Sequence, residues 1–371
     1  MSAAKLETTI QNERLSPSRG HQISLDLLRA LAILLVLGRH SFSSGLWRWI
    51  GWSGVDLFFV ISGFLVSGLI FRELKSTGDV KLGRFLIRRA LKIYPSFYLF
   101  IGISLMAGIA TGKGFEYSQI VSELFYLQSY IDGMWMHTWS LAVEEHFYLV
   151  FALVVALWQR RGFPTYPQRT WIALCGMLLL GMAMRLSYCW PHRNELSFDF
   201  TATHLRADGI WMGVILGYAY HFGNLEARLI RWRWIFGVLF FISSMALLRW
   251  PAGSFEMNAV GLSIVNLGFV GLLCLGLGME KLLQGILLEG GMVSMGMHWM
   301  ALIGRHSYSI YLWHLLADNV LSKLGLFAAM GWRDGETASG ISTIVFAVIL
   351  GMAMGKLVEA PILRWRNRKW A

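Results

Sequence analysis

Blocks of roughly 17 to 20 predominantly apolar residues recur along the whole chain, each long enough to cross a ~30 Å hydrocarbon core at ~1.5 Å per helical residue. That recurrence leaves few folds open. Lipid offers no partner to a free peptide group, so the blocks read as helices. The expected spans are 23–41, 55–71, 93–110, 140–158, 170–188, 205–222, 234–249, 259–278, 307–323 and 338–356. The fold expected is all-α: a polytopic integral membrane bundle of about ten transmembrane helices. Its parts are an N-terminal tail (1–22), one membrane domain (23–358) and a basic C-terminal tail (359–371). The first 20 residues are polar and lack an apolar core before a small-residue cleavage site, so no cleaved signal peptide is expected.

Composition agrees, since 56% of the 371 residues are hydrophobic and only 15% charged. The net charge of +11 would suit nucleic acid, but its placement argues for topology instead. Of the 33 Lys and Arg, 23 fall on one side of the ten-span arrangement, 6 on the other and 4 within helices (Arg29, Arg39, Arg185, Arg206). The positive-inside rule then puts both termini in the cytoplasm, and no nucleic-acid partner is expected. Cys175 and Cys189 lie ~21 Å apart along one helix, out of disulfide reach, and with Cys274 they show no zinc spacing. No metal is expected.

Three connections are long: 72–92, 111–139 and 279–305. The last, with Met292, Met295, Met297, Trp299 and Met300, reads equally as an interfacial helix or a re-entrant segment.

Ionisable residues inside spans cost about 3 kcal/mol or more unless they face a cavity or a partner, so each asks for a reason. Arg29 and His40 share the first span, ~16 Å apart and close to one face. Each is either functional or structural, Arg29 as an ion pair with a residue such as Asp26, His40 as a hydrogen-bonded core histidine. Asp56 opens the second span in GVDLFFVISGFL at about the depth of His40. There it either orients the imidazole of a general base or complements a helix N-terminus. Ser62 and Gly63 allow close backbone approach. In TWSLAVEEHFY, Trp139 precedes Glu144, Glu145 and His146, which point in different directions on a helix. Glu144 or Glu145 is expected to face a cavity while His146 is structural. RRALKIYP places Arg88, Arg89 and Lys92 before the third span, as a phosphate site or a lipid-headgroup patch. Arg206 and Asp208 in THLRADG are expected near a cavity, with Gly209, Gly213 and Gly217 as a packing face. In GRHSYSIYLWH, Ser307, Tyr311 and His314 form one polar stripe that should face a water-filled interior.

Together these strings resemble the acyltransferase-3 family of membrane proteins over nearly the whole chain. The resemblance rests on Arg29 followed by ten residues and His40, on the motifs quoted above, and on Glu359-Ala-Pro361. It implies an acyl-CoA donor, such as acetyl-CoA, on the cytoplasmic face and a glycan, exopolysaccharide or glycolipid acceptor on the outer face. It also implies an essential arginine and histidine mapping onto Arg29 and His40, and a basic motif mapping onto Arg88, Arg89 and Lys92. Lys92 stands where arginine is usual. Some relatives carry an appended extracytoplasmic domain, so this chain is expected to act alone or hand on to a separate extracytoplasmic partner.

The expected function is therefore membrane O-acyl transfer, chiefly O-acetyl transfer, in a bacterial inner membrane. His40, Arg29, Asp56, Glu144 and Glu145 are the catalytic candidates, Arg88, Arg89 and Lys92 the donor-binding ones. Ser62, Trp139, Arg206, Asp208, Tyr311 and His314 are the substrate-binding candidates. A transporter or flippase of a lipid-linked sugar is the alternative, which inverted repeats would favour, and none is visible.

Overall fold

A chain this apolar must satisfy its backbone polar groups within each segment, and helices do so. The computed structural model describes residues 22–112, 114–161, 167–194, 200–223, 225–324, 330 and 336–369, and helices dominate them without a strand among the described residues. The expected tail 1–22 lies outside the described residues except for Gln22.

In chain order the helices are α1 (Ile23–Ser41), α2 (Gly45–Ile50), α3 (Ser53–Thr77), α4 (Leu82–Ala110), α5 (Tyr117–Leu124), α6 (Trp139–Arg160), α7 (Pro167–Cys189) and α8 (Thr203–Arg206). Then come α9 (Asp208–Phe222), α10 (Leu225–Arg249), α11 (Leu262–Gly278), α12 (Glu280–Glu289), α13 (Gly291–Arg305), α14 (Ser307–Lys323), α15 (Thr337–Met354) and α16 (Ala360–Lys369). Wide π-helical turns, Met257–Gly261 and Gly355–Glu359, lead into α11 and α16. Among the described residues seven helices are long and apolar enough to cross a membrane: α3, α4, α6, α7, α10, α11 and α15. The other three expected spans coincide with α1, which carries Asp26, Arg29 and Arg39, and with α9 and α14, of 15 and 17 residues.

Two boundaries differ from expectation. The basic segment 72–92 is not a loop: α3 runs on to Thr77 and ends where Gly78 takes a left-handed φ of 74°. The chain is helical again from Leu82, so Arg88, Arg89 and Lys92 sit on the continuous helix α4. The segment 279–305 forms two helices parted at Gly290 and Gly291, whose φ values of 75° and 87° suit glycine. Helix α13 turns Met292, Met295 and Trp299 outward.

The core is centred on α3, where Leu57, Phe59, Val60, Ile61 and Phe71 are fully buried. Glycines set how closely α9 approaches it. A Cβ on Gly213 would collide with the Val60 carbonyl, and one on Gly63 with the Ile210 carbonyl, so either Gly→Ala change would force the helices apart. Helix α1 packs on α3 and is pinned from far along the chain. The Glu280 carboxylate accepts the N–H groups of Ile23 (2.9 Å) and Ser24 (3.0 Å), satisfying and neutralising that helix N-terminus. The placement of Arg29 and His40 depends on this anchor.

Candidate active site

Three cavities follow one another through the bundle. The largest, about 1240 Å³, is lined by eight cations, Arg29, Arg72, Lys81, Arg84, Arg88, Arg89, Lys92 and Arg366, against the acids Glu73 and Asp79. Glu73 is already held by Arg84 at 3.3 Å. Like charges crowded at low dielectric repel strongly, so an anion is the natural complement of this wall.

A narrow middle cavity of about 90 Å³ shares Arg29, Arg89 and Lys92 with the first. Of these three cations, Arg89 is the one with a carboxylate in ion-pair range among the described residues, Glu144 at 3.9 Å. Its guanidinium also stacks 4.2 Å from the Tyr148 ring centre. The polar wall opposite is a chain of hydroxyls. Tyr148 donates its proton to Glu144 Oε2 (2.6 Å), so the Ser62 hydroxyl, 2.5 Å away, must donate to Tyr148. The Ser62 proton is thereby committed, which leaves Arg29 and Lys92 as the charged donors that face this junction without a carboxylate in ion-pair range among the described residues.

The third cavity, about 300 Å³, shares Val55 and Tyr311 with the second and is lined by His40, His137, Trp139, Arg206, Asn258 and others. Here three imidazoles converge from three elements. His40 lies 5.2 Å from His314, and His314 lies 4.9 Å from His137, between ring centres. Backbone carbonyls fix the tautomers of two of them. His314 Nδ1 donates to the Tyr311 carbonyl (2.6 Å) and His137 Nε2 to the Leu312 carbonyl (3.2 Å). The lone pairs of His314 Nε2 and His137 Nδ1 are buried without a hydrogen-bond partner among the described residues. Burial drives the His137 pKa down to about 3, so that ring stays neutral at physiological pH. Tyr311 closes the boundary by donating to the His137 carbonyl (2.8 Å) and meeting Ser140 Oγ at 2.6 Å.

His137 is delivered by the segment 114–138, which is stapled by Glu123. Its Oε1 accepts Thr138 Oγ1 (2.8 Å) and the Trp135 N–H (3.2 Å), while Oε2 is buried without a partner. Desolvation raises the Glu123 pKa to about 7 despite those bonds.

A family model described as an acyltransferase domain matches residues 22–354. The chain belongs to the acyltransferase-3 family. It is 28% identical over 235 residues to the peptidoglycan O-acetyltransferase OatA of Listeria monocytogenes, a match covering 56% of this chain and 36% of that protein. It is 26% identical over 312 residues to the O-acetyltransferase OatA of Staphylococcus aureus, covering 78% of this chain and 49% of that one. The chain thus spans between a third and a half of the length of these relatives. No solved structure matches it.

Within this acyltransferase-3 bundle the expected site residues divide. Arg29, Ser62, Arg88, Arg89, Lys92, Trp139, Glu144, Arg206, Tyr311 and His40 line the cavities, while His314 faces His40 from behind. Asp56 does not reach His40. It accepts a hydrogen bond from Arg206 Nη2 at 2.9 Å, because a buried carboxylate is best held by a guanidinium. The acid-oriented imidazole expected there is replaced by an imidazole facing another imidazole. Asp208 lies off the cavities, bound to Arg185 at 2.7 Å and to Ser263 Oγ at 2.9 Å in a fully buried cluster. Of the two neighbouring glutamates, Glu144 faces the middle cavity while Glu145 takes the Tyr94 hydroxyl at 3.1 Å. His146 bonds Thr203 at 2.8 Å, a structural tie between α6 and α8. The Asp26 carboxylate, offered by the sequence as a partner for Arg29, lies 3.8 Å from Arg305.

His137, Tyr148 and Arg366 also stand at these cavities and are not among the expected site residues. Tyr148 follows Glu144 by four residues, the spacing at which helical side chains meet, and could have been found that way. His137 stands in a connection whose fold depends on Glu123, and Arg366 is one of several basic residues in a tail, so neither carries a local signal.

Proposed function

We propose that this protein is a membrane O-acyltransferase that carries an acetyl group from acetyl-CoA, bound in the basic cavity, to a hydroxyl of a glycan or glycolipid entering the histidine cavity. The observation that carries this reading is the succession of cavities. One wall of cations leads through Arg29, Arg89 and Lys92 and past Tyr311 to an imidazole cluster. Such an order suits a polyanionic donor at one end and proton-transfer chemistry at the other.

In the reaction the acceptor oxygen attacks the thioester carbonyl while His40 takes the hydroxyl proton. The carbonyl oxygen gathers negative charge, which the indole N–H of Trp139, in the same cavity as His40, can meet, while Arg29 holds the donor where the first two cavities join. The C–S bond then breaks, the acetyl ester remains on the acceptor, and the thiolate of CoA takes up a proton. Arg29 and His40 are ~16 Å apart along α1, so the thioester end must advance through the middle cavity to reach the acceptor. The names of the relatives support an acetyl group and, for one of them, a peptidoglycan acceptor.

The reading includes ten spans with both termini cytoplasmic, following the charge asymmetry, in a bacterial inner membrane. The basic cavity then opens to the cytoplasm, where acetyl-CoA is available. Transfer is completed by this chain or by a separate extracytoplasmic partner. Membranes containing the protein, incubated with acetyl-CoA radiolabelled in the acetyl group, should yield an alkali-labile label on a lipid-linked or polysaccharide fraction. Label that stays on acetyl-CoA while a sugar lipid changes leaflet would favour the transporter reading instead.

A further inference from the structure

The basic cavity is not built only by helices of the family-matched region. That match ends at residue 354, and beyond it the π-helical turn Gly355–Glu359 redirects the chain from α15 into α16, which packs against α4. Two bonds hold this arrangement. Ser309 Oγ donates to the buried Glu359 Oε2 at 2.9 Å, and Arg366 Nη1 donates to the Arg88 carbonyl at 3.2 Å.

Helix α16 carries four basic residues, Arg364, Arg366, Arg368 and Lys369. Three of them are exposed, the pattern of a solvated tail. Arg366 is half-buried and lines the cavity that also holds Arg84, Arg88, Arg89 and Lys92. Turning a guanidinium inward among like charges costs free energy that a mere tail would avoid by pointing it at water. Two of its five N–H groups are spoken for by the exposed Asn367 side chain and one by the Arg88 carbonyl, leaving two for a ligand.

We propose that α16 is a wall of the donor site and that Arg366 is a phosphate-binding residue of it, taking the phosphate-rich nucleotide end of acyl-CoA together with Arg88 and Arg89. This rests on the acyl-CoA reading above and adds to it a binding residue outside the matched family region. The shared chemistry is a phosphate ester, which an anionic lipid headgroup also offers, so the test separates the two.

The full chain is purified into nanodiscs of zwitterionic lipid and titrated calorimetrically with acetyl-CoA and with adenosine 3′,5′-bisphosphate. Arg366→Ala should weaken both ligands about tenfold, the lower end for a charge-assisted contact at a half-exposed site. Arg366→Lys should recover part of the loss, and Arg368→Ala should bind as wild type does. Equal thermal midpoints of the unliganded variants exclude a folding defect, and Arg366→Gln, which keeps the side chain's bulk, gives a second reading if the alanine variant is unstable. Wild-type affinity in Arg366→Ala and Arg366→Gln would overturn the proposal. So would variants that keep acetyl-CoA affinity but lose stabilisation by added phosphatidylglycerol, since the site would then belong to a headgroup. A wild-type protein that binds neither nucleotide would instead bring down the donor reading itself.

Discussion

The arginines of the two halves of the bundle are treated in opposite ways. Away from the basic cavity, Arg185 and Arg206 are each matched by a carboxylate, Asp208 at 2.7 Å and Asp56 at 2.9 Å, and Arg185 is completely buried. Around the basic and middle cavities, eight cations face the acids Glu73, Asp79 and, at 3.9 Å from Arg89, Glu144, with Glu145 and Glu359 close by but bound to the hydroxyls of Tyr94 and Ser309. Desolvating a charge is costly, and the paired set meets that cost within the fold while the crowded set does not. On the proposal above, the paired arginines are architecture and the crowded ones take a complement from outside the chain. His137 and His314 between them make a third kind of environment, each bonded to a backbone carbonyl through one nitrogen while the other is buried.

The sharpest way to break this contrast is at the histidine cluster. His40→Ala should lower acetyl transfer by about 10²–10⁴ in rate while acetyl-CoA affinity is unchanged, because the basic cavity lies a helix length away. Transfer at the wild-type rate would return His40 to a core role. On the architectural side, Arg185→Ala leaves the Asp208 carboxylate buried without its cation, so the variant should lose ~3–5 kcal/mol of stability. The apolar double replacement Arg185→Met with Asp208→Leu should recover most of it. Thermal unfolding in detergent measures both, and a stable single variant would mean that Arg185 is not paired architecture at all.

Across the divide, Arg88→Ala with Arg89→Ala should behave in the reverse manner. Donor affinity should fall, by ~1.5–3 kcal/mol per lost phosphate contact, while thermal stability falls less than in Arg185→Ala, because Glu144 stands 3.9 Å from Arg89 and keeps its bond from Tyr148. Calorimetric titration with acetyl-CoA reads the first and unfolding the second, and a stability loss without an affinity loss would reverse the assignment. The smallest effect belongs to the Glu123 staple. Its folded pKa of about 7 lies above the ordinary 4.5, so the folded state binds the extra proton between those values. The contribution is complete below pH 4.5 and is lost as pH rises through about 7. Glu123→Gln should flatten the fall in thermal midpoint across that window, and an unchanged slope would exonerate the residue.

Much of this arrangement could be read from the sequence where the signal is local. Apolar length located the helices, ionisable residues within them pointed to Arg29, His40 and Glu144, since charge in an apolar block needs a cavity or a partner, and the basic run before the third span pointed to Arg89. Reading failed where the answer lies in which helix sits opposite. Asp56 and His40 share a depth, yet α8 brings Arg206 to Asp56 and α14 brings His314 to His40. Asp208 looked like a cavity residue until α7 supplied Arg185. The start of α4 at Leu82 was hidden because its first turns are polar, and hydropathy sees only the part in lipid.

The central claim is that donor and acceptor enter from opposite faces and meet through the cavities joined at Arg29 and Tyr311. Proteoliposomes with the protein in one known orientation test it most directly, with labelled acetyl-CoA supplied only on the side of Arg88 and Arg366 and a glycan acceptor only on the other. The account predicts labelled acceptor across the membrane, abolished by His40→Ala. Labelled product formed only when both substrates share one side would contradict it.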